Sequence, residues 1–248
     1  LVDREIITSK ENRKVRDLRK LHKKKYRSRT GRFLAEGEHL VEEAVKHGQT
    51  IHSVILHEAY EHAHLDLGDL ELMFVSGDVM RSLSQLETPP GIVAQVSYVP
   101  PASSGQRVLT LDNVQDPGNL GTLIRTADAF GFDRVLLSPD TADPFSEKVL
   151  RSAQGSTFHV GIEIREAATA AKAFEGTVLA TALIDAEPLD GIGTPDGPLM
   201  LILGNEGSGV GSDVIDAADR RVRIGMSGKS ESLNVGIAGG ILMHHFQA

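Results

Sequence analysis

The chain has no cysteine and no tryptophan, and only 4% of its 248 residues are aromatic. Without cysteine there are no disulfides and no thiolate metal ligands, and a cytoplasmic home is permitted. No apolar run approaches the roughly 18 to 20 residues that span a bilayer, so no membrane segment is expected. The opening stretch, LVDREIITSKENRKVRDLRK, has no apolar core of the kind a signal peptide carries. His57, His62 and His64 lie close in sequence, but no carboxylate or fourth ligand stands at metal-binding spacing, and no metal is expected. Internal repeats and low-complexity tracts are also missing.

What is there is an ordinary globular composition, 40% hydrophobic and 24% charged, in a length that suits one large domain or two small ones. The charge is uneven. Residues 1–32 hold 13 of the 26 Lys and Arg against four acidic residues, a balance of +9, which leaves −17 on the remainder. A basic arm beside an acidic body is a footprint of nucleic-acid contact, although a solvated charged helix has the same composition.

Apolar spacing predicts a helix over Lys10–Lys25, a basic turn over Tyr26–Arg32 and a second helix over His39–His47, closed by Gly48. Strands are expected at Ser53–His57, Leu72–Val75 and Ile92–Val99, with a short helix at Val79–Leu86. These elements form a small α/β module over residues 1–99. Pro100–Gln106 reads as a linker, rich in proline and small polar residues. Beyond it, over 107–248, apolar runs recur at Val108–Leu111, Arg134–Leu137, Thr157–Ile162, Val178–Leu183, Leu199–Leu203 and Arg221–Ile224, with helical patterns between them. That alternation predicts a mostly parallel sheet covered on both faces. Ligands of such sheets bind outside the carboxyl ends of the strands, here the loops after Leu111, Leu183, Leu203 and Ile224.

Three of these stretches carry unusual chemistry. Asn113–Gly121 leads into a helix whose apolar stripe is Leu120, Leu123, Ile124, Ala127 and Phe130. Arg125 lies roughly 150° away, at about 100° per residue; it is a solvated arginine unless a second subunit or a polyanion covers that face. Asn119 is placed in the loop before the helix. Leu203-Gly-Asn-Glu-Gly-Ser-Gly-Val210 is a glycine loop holding one carboxylate, Glu206, in the wrong order for a dinucleotide fingerprint. Ile224–Phe246 reads as a strand end, a loop and a helix started by Ser232, Leu233 and Asn234. Gly236, Gly239 and Gly240 each cost that helix about 1 kcal/mol relative to alanine, so another backbone or a ligand is expected close by.

Together these segments resemble the SpoU/TrmH branch of the SPOUT (trefoil-knot) RNA methyltransferases. Asn119-Leu-Gly121 with Arg125, Leu203-Gly-Asn-Glu-Gly207 and Ser232-Leu-Asn-Val235 match the three family motifs in order and spacing over residues 107–248. Arg32-Phe-Leu-Ala-Glu-Gly37 resembles the ribosomal-protein-like substrate-binding domain of relatives. Gly225 departs from the family, where proline is common, and Gly-Ile-Ala-Gly-Gly replaces a stretch richer in serine, valine and alanine.

The resemblance implies an α/β fold with a C-terminal deep trefoil knot, S-adenosylmethionine (SAM) as methyl donor, and a ribose 2′-hydroxyl as acceptor. Large-subunit ribosomal RNA is favoured; transfer RNA, or RNA binding without catalysis, are the alternatives, and a doubly wound nucleotide-cofactor enzyme is a further one. Arg125 is implied as the central residue, activating or orienting the hydroxyl, with Asn119, Glu206, Ser232 and Asn234 shaping the site. Thr181, Leu203, Gly204, Ile224, Met226 and Leu233 are implied around the cofactor. Arg19, Lys23, Lys24, Arg27, Arg29 and Arg32 are the expected RNA contacts. A homodimer is implied too, with Leu242, Met243 and Phe246 as its exposed apolar surface.

Overall fold

A computed structural model describes residues 5–247; the first four residues of the basic segment lie outside them. The chain forms two compact units. One comprises the described residues up to Val99 together with Phe145–Phe158, and the other Pro100–Pro144 and the described residues from His159 on.

The first unit holds a five-stranded sheet in the order β1(Ile6–Ile7)–β4(Leu72–Val75)–β3(Thr50–His57)–β5(Ile92–Ser97)–β2(Arg32–Glu36). β1, β4 and β3 run parallel, while β5 is antiparallel to both β3 and β2. Strand side chains alternate between faces, and two cores result. Phe33, Ala35, Val54 and Leu56 meet α3(Glu38–Lys46) and the segment Phe145–Phe158, which carries α6(Glu147–Ala153), through Val41, Leu150 and Phe158. Leu34 and Ile55 meet α1(Arg13–Lys20) and α4(Gly77–Leu83), through Val15, Leu18, Met80 and Leu83.

The basic segment departs from expectation in two ways. The helix expected over Lys10–Lys25 stops at Lys20, and the expected turn is itself a helix, α2(Lys24–Thr30), closed by Gly31 at φ 65°. Arg27 explains the break: it is buried, and its Nη1 donates across 2.7 Å to the Leu21 carbonyl left open at the end of α1. The segment is also no detachable arm. Val15, Leu18 and Leu21 are core residues of the first unit.

The second unit is a seven-stranded, all-parallel sheet in the order β10(Glu187–Pro188)–β12(Arg220–Arg223)–β9(Thr177–Thr181)–β11(Leu199–Leu203)–β6(Arg107–Leu111)–β7(Arg134–Leu137)–β8(Gly161–Ile164). α7(Ala167–Lys172) and α8(Ser212–Ile215) cover one face, over Val108, Val178, Met200 and Ile202. α5(Pro117–Ala129) and α9(Val235–His245) pack against each other, and α9 also reaches β11. Burial on both faces accounts for the unbroken apolar run of β11, whose five residues are all buried. The strand expected at Thr157–Ile162 is corrected: Ser156–Phe158 is a 3-10 turn and the strand begins at Gly161, because Phe158 is drawn into the core of the first unit.

The glycines of α9 are approached by side chains and not by another backbone, closely at Gly239 and, by the helix's own cap, at Gly236. A Cβ on Gly239 would lie 2.3 Å from Leu123 Cδ2, and one on Gly236 3.1 Å from Asn234 Oδ1, whereas Gly240 has nothing nearer than 3.9 Å. Leu242, Met243 and Phe246 are fully buried rather than exposed. A helix packed on both α5 and β11 turns those three residues inward and leaves Ile237 (58% exposed) and Ile241 (40%) outside. Among the described residues, no helix is long and apolar enough to cross a membrane.

Candidate active site

The site is assembled where three loops at the carboxyl edge of the parallel sheet meet. α5 starts at Asp116, whose Oδ1 accepts from Asn119 N at 2.8 Å, with Pro117 at the first helical position. Asn119 therefore sits in the first turn of α5 and not in the preceding loop. This start carried a sequence signal, an aspartate before a proline, that the apolar pattern alone does not register.

The loop after β11 is closed on itself. Asn205 and Gly209 exchange two main-chain hydrogen bonds of 3.0 Å, and Asn205 Oδ1 accepts from Gly207 N and Ser208 N. A Cβ on Gly204 would lie 2.1 Å from Gly209 C, so only glycine fits there. The closed loop presents Glu206 to the start of α5. Oε1 accepts from Asp116 N at 3.0 Å and Asn119 Nδ2 at 3.1 Å, and Oε2 accepts from Gln115 N at 3.1 Å. Desolvation pushes the Glu206 carboxyl up, but those donors outweigh it and hold it below its ordinary value. It is a carboxylate at neutral pH.

The third loop ends at Asn234, the N-cap of α9. Its Oδ1 accepts from Gly236 N at 2.9 Å and Ile237 N at 3.3 Å, and its Nδ2 donates to Asn119 Oδ1 at 3.0 Å. Glu206, Asn119 and Asn234 thus form one hydrogen-bonded chain in which both ends of the Asn119 amide are engaged. Asn205 Nδ2, donating to Asn113 O at 2.8 Å, and Asp112 Oδ2, accepting from Gly211 N at 2.8 Å, tie the first two loops together again. Asn205 belongs to the matched Leu203–Gly207 stretch without an expected role of its own, and Asp112 lies outside the expected site residues.

Beside this chain lies a cleft of about 700 Å³, lined by all six expected cofactor residues, Thr181, Leu203, Gly204, Ile224, Met226 and Leu233, and also by Glu206 and Ser232. The Thr181 hydroxyl is already engaged with the Ile202 carbonyl. Leu183 and Ile184, 67% and 78% exposed, stand at the same cleft and were not foreseen. Residues 224–233 make no main-chain to main-chain hydrogen bonds in loops or turns among the described residues. Apolar walls with open main-chain donors and acceptors fit a planar heterocycle on a polar tail. Arg125 does not line the cleft. It is exposed on α5, with no hydrogen bond or ion pair among the described residues, one position from Thr126, which approaches Gly240 of α9.

Of the expected RNA contacts, Arg19, Lys23, Lys24 and Arg29 are exposed and Arg32 half-buried. Arg27 is the correction: its guanidinium is spent on the Leu21 carbonyl inside the fold.

Residues 106–244 match the model of the SpoU rRNA Methylase family, and residues 12–94 that of the MRM3-like substrate binding domain. The 23S rRNA (guanosine(2553)-2′-O)-methyltransferase RlmP of Bacillus subtilis is 41% identical over 247 residues, covering 97% of this chain and 98% of that protein. The crystal structure of an AdoMet-bound rRNA methyltransferase from Sinorhizobium meliloti superposes with a TM-score of 0.86 at 31% identity, over 97% of this chain and 96% of that one. AviRb from Streptomyces viridochromogenes, solved with AdoMet, shares the fold at 24% identity, with a TM-score of 0.83 over 94% of this chain and 96% of that one.

Proposed function

As the chain belongs to the SpoU rRNA methylase family, we propose that it is a SAM-dependent RNA 2′-O-ribose methyltransferase acting on large-subunit ribosomal RNA in the cytoplasm. The observation that carries this reading is the Glu206–Asn119–Asn234 chain of hydrogen bonds at the rim of the cleft. It links the three family motifs at the point where two substrates have to be aligned.

When bound, the cofactor supplies an electrophilic methyl group. The chain's own residues do the rest. Leu203, Ile224, Met226 and Leu233 give the cleft its apolar lining and would hold the cofactor together with the main chain of the closed Gly204–Gly209 loop. Asn119 is held by Glu206 on one side and by Asn234 on the other, so that the start of α5 is fixed against the loop carrying Ser232. Arg125 meets the 2′-hydroxyl and an adjoining phosphate. An arginine is too basic to take the proton at neutral pH, so it orients the hydroxyl and stabilises its developing negative charge.

Arg125 reaches its place through a homodimer. Ile237 and Ile241 leave an apolar strip on α9 beside α5, a reason to pair, and the pair puts Arg125 beside the partner. Light scattering of the wild type should give twice 26.7 kDa, and Ile237→Asp with Ile241→Asp should give one chain mass; a wild-type monomer at micromolar concentration sinks the dimer. The function itself is tested by mapping ribose methylation in RNA from cells with and without the protein. One large-subunit nucleotide should lose its methyl group in the deletion strain and regain it in vitro with SAM; an unchanged map removes the reading.

A further inference from the structure

Among the described residues of the first unit, one Phe or Tyr ring belongs to neither hydrophobic core. Of the three tyrosines, Tyr60 donates its hydroxyl to Glu38, and the Tyr98 ring packs 5.1 Å from that of Phe145. Tyr26 is different. It sits on α2, half-buried, and its hydroxyl has no partner among the described residues. The buried guanidinium of Arg27 anchors α2 to the unit, so Tyr26, one position earlier and about 100° around the helix, lies on the border between core and solvent. One turn on, the Arg29 guanidinium stands 5.8 Å from the centre of the Tyr26 ring, within cation–π range. One turn back is Lys23, and between it and Tyr26 on the chain stand Lys24 and Lys25, all exposed.

Resting on the RNA reading above, we propose that Tyr26 and Arg29 form a stacking site for an unpaired RNA base, with the lysines around them holding the flanking phosphates. A duplex buries the faces of its bases in the helical stack, whereas a loop or bulge can splay one out onto an aromatic ring or a guanidinium plane. A basic surface alone binds any polyanion and gains most from the denser charge of a duplex, so it does not select an unpaired base. An aromatic ring set among cations supplies that preference, since every base has a π-face to offer. The site thus selects where on a folded RNA the first unit settles, without reading its sequence.

Because the chain has no tryptophan, Tyr26→Trp installs a single fluorescent reporter at the site. The probes are an RNA hairpin with an unpaired loop and a fully paired RNA duplex of equal length, both end-labelled so that binding is followed separately by anisotropy. The hairpin should quench the emission of the introduced indole at saturation, and the duplex should bind with little quenching. In the otherwise native chain, Tyr26→Leu should weaken hairpin binding by on the order of tenfold, as expected when one stack is removed. It should leave the salt slope and the duplex affinity unchanged. Arg29→Ala should lower affinity and also flatten the slope by about 0.7. Unchanged emission on hairpin binding, equal quenching by the duplex, or full hairpin affinity in Tyr26→Leu overturns the stacking site while the RNA reading stands. Failure of the native chain to bind either RNA overturns both.

Discussion

Asn234 donates its side-chain amide to Asn119 Oδ1 across 3.0 Å, joining two residues 115 positions apart in the chain. The same side chain caps α9 through its Oδ1. One residue therefore starts a helix and fixes the start of another. The two duties separate by mutation. Asn234→Asp keeps the capping oxygen but loses the donor, so the melting temperature should stay close to wild type while single-turnover methylation falls by about tenfold or more. Asn234→Ala loses both, adding the roughly 0.5 to 2 kcal/mol of a missing N-cap. Equal activity in the wild type and Asn234→Asp would show that Asn119 does not need the Asn234 amide to hold it.

Arg125 faces solvent and makes no hydrogen bond or ion pair within the single chain among the described residues. Arg125→Ala should accordingly fold as well as the wild type and bind SAM within a few-fold of it. Methyl transfer should fall on the order of 10²-fold or more, the usual cost of a charge removed from a transition state. Calorimetry with SAM and a single-turnover assay make the comparison; near-normal turnover removes Arg125 from the mechanism.

What is legible in the sequence divides from what is not along physical lines. The parallel sheet is legible because strands buried on both faces have to be continuously apolar, as Leu199–Leu203 are. The three motif loops are legible only together, because their order and spacing resemble one family's motifs; singly, each reads equally well as a tight turn, a solvated arginine or a packed helix start. Arg27 is not, since nothing local distinguishes a buried arginine satisfying a carbonyl from its solvated neighbours. Phe145–Phe158 is not either: its side chains pack into a core whose strands all lie earlier in the chain, between Arg32 and Ser97, and no periodicity encodes that return. Leu242, Met243 and Phe246 read as outward-facing because their burial depends on α5 and β11, which the sequence of α9 alone does not reveal.

Two glycines of the last helix should respond oppositely to alanine. At Gly239 the new methyl would lie 2.3 Å from Leu123 Cδ2 and 2.9 Å from Leu203 Cδ1, and both leucines are buried with nowhere to go. Overpacking of about 1 to 3 kcal/mol then exceeds the gain of about 1 kcal/mol in helix propensity. At Gly240 the nearest atom is 3.9 Å away, so the propensity gain stands alone. Urea midpoints should fall for Gly239→Ala and rise for Gly240→Ala. A rise for both would mean that the α5–α9 packing is looser than its geometry implies.

The basic face makes the last test, and its residues divide by burial. Arg19, Lys23, Lys24 and Arg29 are exposed, whereas Arg27 is 8% exposed and bonded to the Leu21 carbonyl. Deleting residues 1–32 would not isolate the charges, because Val15, Leu18 and Leu21 belong to the core and their removal would unfold the first unit. Neutralising the four exposed cations to glutamine leaves that core untouched. If they hold phosphates, RNA affinity should fall, and the log–log salt slope should lessen by roughly 0.7 to 0.9 for each phosphate released. SAM binding should survive, since the cleft proposed for it is lined by residues from Thr181 onward. Arg27→Gln should do the reverse. It removes a donor from a buried carbonyl, at about 1 to 3 kcal/mol, so stability should drop while the salt slope of the folded protein stays put. Parallel slopes for the wild type and the fourfold variant, with equal affinity, would reduce the exposed cations to a solvated surface.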